Sequence, residues 1–343
     1  MQLVLLVASA LLALPAAHRQ APQSPKLPPV LDRATRTPVG PVEAEMRNVL
    51  YHVDDRVVLE IGHLRGALRP TRPDAPPWFD DPASFTLAID TGDVAITPAS
   101  LSALLNDYVF NYKGSPLKQL EVTIDQGELK QKGILHKVVD LPFTIRAQLT
   151  TTDDGRLRMH PTSVKVMGLP VKSLMRLFGL ELDNLVHVRQ GRGVEIENND
   201  FLLAPADLLP PPRIQGKVTG VQLEPTRIRQ IFGGSVRAGA RVSLRPSDPK
   251  APNYMFYRGK LLRFGKLTMA DADLQIVDED PSDPFDFYLS HLNEQLVAGK
   301  SRNQTDFGLL TSMPDYADLR RSTQKAQRSG RSARVPDQAT SDQ

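Results

Sequence analysis

The stretch 49-VLYHVDDRVVLEIGHLRGAL-68 decides the fold class. Val49, Tyr51 and Val53 alternate with other residues, Asp54-Asp55 interrupt, and Val57, Leu59 and Ile61 resume the alternation. A period of two puts one apolar face against a core, and adjacent aspartates favour a turn, so the stretch predicts a β-hairpin. The same grammar recurs downstream. FTLAIDTGDVAI (85–96) predicts a strand pair across Thr91-Gly92-Asp93, and LEVTIDQGELKQKGIL (120–135) predicts one around Gln126-Gly127. DLPFTIRAQLTTTDDGRLRMHPTSVKV (140–166) turns at Asp153-Asp154-Gly155. Further strands are expected at 193–203 and from Tyr254 to Val277, with extended chain between them that ends at Gly233-Gly234.

Three amphipathic helices interrupt the strands. TPASLSALLNDYVF (97–110) carries Thr97 as N-cap and Pro98 at the first helical position, with Leu101, Leu104, Leu105 and Tyr108 on one face. PVKSLMRLFGLELDNLV (170–186) has a wide apolar stripe of Val171, Leu174, Met175, Leu177 and Phe178. DPFDFYLSHLNEQLVAG (283–299) is expected to start at an Asp283 cap and to bury Phe285, Tyr288, Leu289, Leu292 and Leu296. The expected fold class is α+β: a mostly antiparallel, curved multi-stranded sheet wrapped on amphipathic helices. Such a sheet can enclose an elongated apolar slot. There is no fixed-period repeat, so a solenoid or propeller is not supported.

The chain of 343 residues is 41% hydrophobic, enough for a substantial core. It contains no cysteine, which removes disulfides, thiolate metal sites and cysteine nucleophiles together. Residues 1–17 are apolar from Leu3 to Leu14 and read as a signal peptide, although Lys and Arg are absent there. The run is too short to span a bilayer, which takes about 20 apolar residues. Residues 18–41 form a Pro-rich basic linker, 42–234 a β-rich domain with two helices, and 235–316 further strands plus a helix packed on the same body. Residues 317–343 read as a disordered basic tail. Linker and tail each carry a net charge of +3, which accounts for the whole chain's +3 and leaves the body at −3. A nucleic-acid partner is therefore not expected, while the tail is suited to weak contact with an anionic membrane surface. Trp78, the only tryptophan, sits in a proline-rich break and is expected to fold onto the core.

Chemistry is sparse. DADLQIVDEDPSDPFDF (271–287) contains seven acids, but alternation places Ala270, Ala272, Leu274 and Ile276 on one strand face and Asp271, Asp273 and Gln275 on the wet face. Asp283 and Asp286 fit a helix start, which leaves Asp278, Glu279 and Asp280 in a turn. An EF-hand loop counted from Asp271 fails, with Gln275 fifth, Ile276 sixth and Ser282 twelfth. The histidines lack zinc-helix spacing, GGSVR at Gly233 lacks the second glycine of a hydrolase elbow, and GRGVEI at Gly191 stops short of GxGxxG. No catalytic residue, metal site or cofactor is expected.

The order of the 97–110 helix, the 120–133 strands, the 140–171 strands and the following apolar helix resembles bacterial exported proteins of the tubular lipid-binding (TULIP) type over roughly residues 49–232. The resemblance implies a curved sheet enclosing acyl chains, lined by Leu101, Leu104 and Leu105 on the first helix and by Leu174, Met175, Leu177, Phe178 and Leu182 around the second. Met and Phe suit a wall that adapts to varied chains. An apolar stripe is also what an ordinary solid core requires. The expected function is an exported, non-enzymatic protein of the periplasm or cell envelope that binds lipid or another hydrophobic small molecule. A scaffold protein with a solid core and an envelope hydrolase are the alternatives.

Overall fold

Eighteen β-strands carry the structure, a computed structural model that describes residues 39–136, 139–167, 169–170, 193–197, 200–233, 244–304 and 308–322. The described residues lie in one unit, Thr37–Gln343. The first sheet contains β1 (Val42–His52), β2 (Val58–Pro70), β3 (Phe85–Ile96), β11 (Arg213–Gln215), β12 (Val218–Leu223), β13 (Ile228–Phe232), β14 (Tyr254–Phe264), β15 (Leu267–Asp278), β16 (Phe285–Tyr288), β17 (Lys300–Asn303) and β18 (Leu309–Met313). Its order is β12-β13-β3-β2-β1-β14-β15-β18-β17, with β11 beside β3 and β16 beside β1. The second contains β4 (Leu117–Asp125), β5 (Glu128–His136), β6 (Asp140–Thr151), β7 (Leu157–Val166), β8 (Leu169–Pro170), β9 (Val194–Glu197) and β10 (Asp200–Leu203), in the order β4-β5-β6-β7-β10-β9 with β8 beside β7. Pairing is antiparallel except at β1/β16, β3/β11 and β15/β18.

The opening hairpin is β1–β2. Asp54 Oδ1 accepts from the amides of Arg56 and Val57 at 2.7 and 2.8 Å, the aspartate-capped turn that the sequence pattern implies. The β4–β5 turn places Gln126 and Gly127 at φ 55° and 75°, the two positive values that a tight two-residue hairpin requires.

Four expectations change. The Thr91-Gly92-Asp93 step is no turn: β3 continues through it, with a bulge at the neighbouring Asp90, because β2 pairs it on one side and β13 on the other. The Asp93 carboxylate is held by Arg229 on β13, with Nε 2.7 Å from Oδ1. The 283–299 segment is not one helix capped by Asp283. Phe285 and Phe287, fully buried with period two, form β16 and occupy the β1 edge beyond its pairing with β14. A 3-10 turn at Leu289–His291 and a helix at Leu292–Ala298 follow, ending before Gly299. Gln275 is fully buried rather than wet, since its amide bonds Asp248 N and O at 2.6 and 2.8 Å and docks that returning segment. Ala270 is exposed, where the strand passes through a left-handed φ of 48° at Asp271. In addition, residues 316–322 are helical, so the disordered tail that the composition implies from 317 does not begin there.

The described helices are few and short, so the sheets and not the helices dominate. One core cluster belongs mainly to the first sheet, and a second joins Val57, Ile96 and Ile228 of the first sheet region to the inner face of the second. Val53, Leu59, Leu203, Leu209 and Val221 pack against both. Trp78 folds onto the core as expected, 8% exposed, with the Arg263 guanidinium 4.1 Å above its ring and Nε1 bonded to Asp80.

Candidate functional site: an apolar slot

The helix Pro98–Leu104 is built as its sequence requires. Thr97 Oγ1 accepts from Ser100 N at 3.1 Å and Pro98 occupies the first turn. It then widens into a π-turn over Leu105–Val109, where Phe110 N reaches back to Leu105 O.

Polar side chains pin this element between the sheets. Buried Ser100 accepts from Val58 N of β2 at 3.2 Å. On the other side, Ser102 Oγ accepts from Val122 N of β4 at 2.8 Å. Asn106 both donates to Leu120 O and accepts from Leu120 N, at 2.7 and 2.9 Å. These bonds satisfy backbone groups on the outer edge of β4, the end strand of its sheet, where a bulge between Lys118 and Glu121 and a left-handed Gln119 interrupt the register.

Pinned this way, the helix aims its leucines inward. A cavity of about 110 Å³ runs along the second sheet, walled by Leu101 and Leu105 with Phe110, Leu129, Phe143 and Met159 among others. A second, of about 100 Å³, lies against the first sheet and is walled by Leu101 and Leu104 with Tyr51, Ile61, Val94 and Phe232 among others. Leu101, Leu129, Leu203 and Leu208 belong to both walls, so the two spaces abut. Among the described residues neither wall carries a charged side chain. The polar side chains are Gln131 in the first, and Tyr51 and Gln230 in the second. Burial pushes the Tyr51 phenol far above its usual range, so it stays a neutral donor.

Of the residues expected to line a ligand, the structure brings Leu101, Leu104 and Leu105 to these walls. Leu174, Met175, Leu177, Phe178 and Leu182 lie outside the described residues, as does the 1–17 apolar segment. Sequence reasoning looked to helices and missed the strand contributors. Inward alternation at Leu129, Gln131 and Leu135, or at Ile228, Gln230 and Phe232, was the signal that could have found them.

The acidic turn is also more than a corner. Asp278, Asp283 and Asp315 bring carboxylate oxygens within 4.8 Å of one another. Burial pushes Asp278 up to about 6 against hydrogen bonds from Asp280 N and Asn253, and it pushes Asp315 up to about 7 against one from Asp286 N. Fully buried Asn253 ties the corner together. Its Nδ2 contacts Asp278 and the carbonyls of Asp280 and Asp283, and its Oδ1 accepts from Asn48 at 2.7 Å. None of the three acids lines either apolar cavity.

Comparison of the chain with protein-family models, curated proteins and solved structures finds no significant match.

Proposed function

We propose that this chain is an exported, non-enzymatic protein that binds a lipid or another hydrophobic ligand in the cell envelope, between its two sheets. The observation that carries the reading is the pair of abutting, uncharged cavities of about 110 and 100 Å³. An apolar cavity of roughly 150 Å³ stays dry and accepts a benzene ring. Two such spaces sharing four leucines suit an extended chain better than a single ring. The apolar 1–17 segment supports export, and the likeness of element order to tubular lipid-binding proteins supports a sheet that closes around acyl chains with its helices.

A hydrolase reading has the convergence of Asp278, Asp283 and Asp315 in its favour. Asp278's carboxylate is engaged by Asn253, which also holds the Asp283 carbonyl, and Asp315's accepts from Asp286 N, so two of the three acids tie β15, β16 and the chain between them together, and that structural role is the stronger account.

The test uses the full-length protein. Native mass spectrometry is expected to reveal a co-purified lipid mass, and delipidated protein is expected to give a saturable fluorescence rise with N-phenyl-1-naphthylamine. Protein that arrives empty and takes up no probe overturns the reading.

A further inference from the structure

Gln230 sits at the centre of β13 where an apolar residue would be expected. Its neighbours on the same face, Ile228 and Phe232, are buried, and so is its cross-strand partner Val94 on β3. Leucine or valine there would complete a uniformly greasy wall. Instead the amide lies on the wall of the second cavity, and its Oε1 is closed off from solvent with no hydrogen-bond partner. A buried amide oxygen left unpaired is unfavourable in the empty protein, and a donor arriving with a ligand removes that penalty. A ligand hydroxyl can donate to this oxygen. Tyr51 lies on the same wall and keeps its proton.

Charge sharpens the choice of ligand. Among the described residues, neither wall offers a cation to meet a carboxylate or phosphate, nor a carboxylate to meet an amine. An ionised group brought inside would be desolvated with nothing to pair it, whereas a hydroxyl would exchange its water for the amide.

Resting on the cavity reading above, we propose that the slot selects uncharged amphiphiles bearing a hydroxyl group, and that Gln230 is the residue that reads the hydroxyl. Ionised fatty acids are disfavoured by desolvation, and plain hydrocarbons bind less tightly than alcohols because they leave the existing Gln230 penalty unrelieved.

Delipidated full-length protein loaded with N-phenyl-1-naphthylamine is titrated with 1-decanol, decane or decanoate at pH 8. Decanol is expected to displace the probe about tenfold more tightly than either of the others, the size of one net hydrogen bond. Gln230→Met keeps the volume and removes the amide, so the decanol preference should collapse while decane binding holds. Gln131→Met should retain the preference. If Gln230→Met does not fold, Gln230→Asn, which retracts the amide by one methylene, makes the same comparison. Decane and decanol binding equally well, or a preference unchanged in the Gln230 variants, overturns this inference and leaves the cavity reading standing. Absence of any probe binding overturns the cavity reading and this inference with it.

Discussion

Asp315 marks where the backbone network and the charge balance conflict. Its Oδ1 accepts from Asp286 N at 2.7 Å, yet the residue is only 8% exposed and shares its corner with Asp278 and Asp283. Burial raises Asp315 to about 7 and Asp278 to about 6, against ordinary values of 3.8. A carboxyl raised on folding favours the folded state fully below its unfolded pKa and loses that advantage as pH rises through the folded value. Asp54, Asp93 and Asp154 are shifted the other way, so their contribution is lost only as pH falls below the ordinary carboxylate range. Thermal stability is therefore expected to decline from pH 5 to pH 8 through Asp278 and Asp315. In Asp278→Asn/Asp315→Asn that decline should flatten and the melting temperature at pH 8 should rise. Melts across pH 4–8 check it, and an unchanged slope in the double variant refutes the assignment.

At the scale of an element, the helix Pro98–Leu104 owes its place to side chains that act on strands. Asn106 serves as a surrogate strand for Leu120, matching both its N–H and its C=O. Asn106→Ala removes both bonds at once and leaves part of a sheet edge unpaired. A destabilisation of about 1–3 kcal/mol is expected from urea unfolding, with faster hydrogen exchange at Leu120 and Val122. Exchange unchanged at these two amides would mean that the helix is held by packing alone. The π-turn that follows matters in the same way, because the altered winding puts Leu105 and Phe110 on the wall of the first cavity.

Across the whole molecule, the two abutting cavities share four leucines, Leu129 and Leu203 from the second sheet and Leu101 and Leu208 from short helices. Leu129, on β5, is buried and lines both cavities. Leu129→Trp should fill the junction at a cost of about 1–3 kcal/mol and abolish probe uptake while the β-sheet circular dichroism persists. Uptake undiminished in a folded Leu129→Trp protein would place ligand elsewhere. No helix among the described residues is long and apolar enough to cross a membrane. The first sheet is also built from distant parts of the chain. β1 pairs with β2, which follows it, and with β14, which begins about 200 residues later, so the late strands complete the sheet that the first hairpin begins.

Local pattern carried much of this protein. Period-two alternation and aspartate or glycine turns were enough for β1–β2, β4–β5, β6–β7 and the Thr97-capped helix, because those features depend on neighbours within a few residues. Leucine spacing also marked Leu101, Leu104 and Leu105 as an inward face. Only the tertiary structure decided the rest. Thr91-Gly92-Asp93 carries turn residues but remains a strand because β2 and β13 bond both of its edges, and Phe285-Asp-Phe287 becomes β16 because β1 offers it a free edge. Whether an apolar face ends in a packed core or on a cavity depends on how far apart two sheets are held, and that distance is written in no single stretch of chain. Gln230 has the same lesson: the sequence implies only extended chain there, and its unpaired oxygen exists only because of what surrounds it.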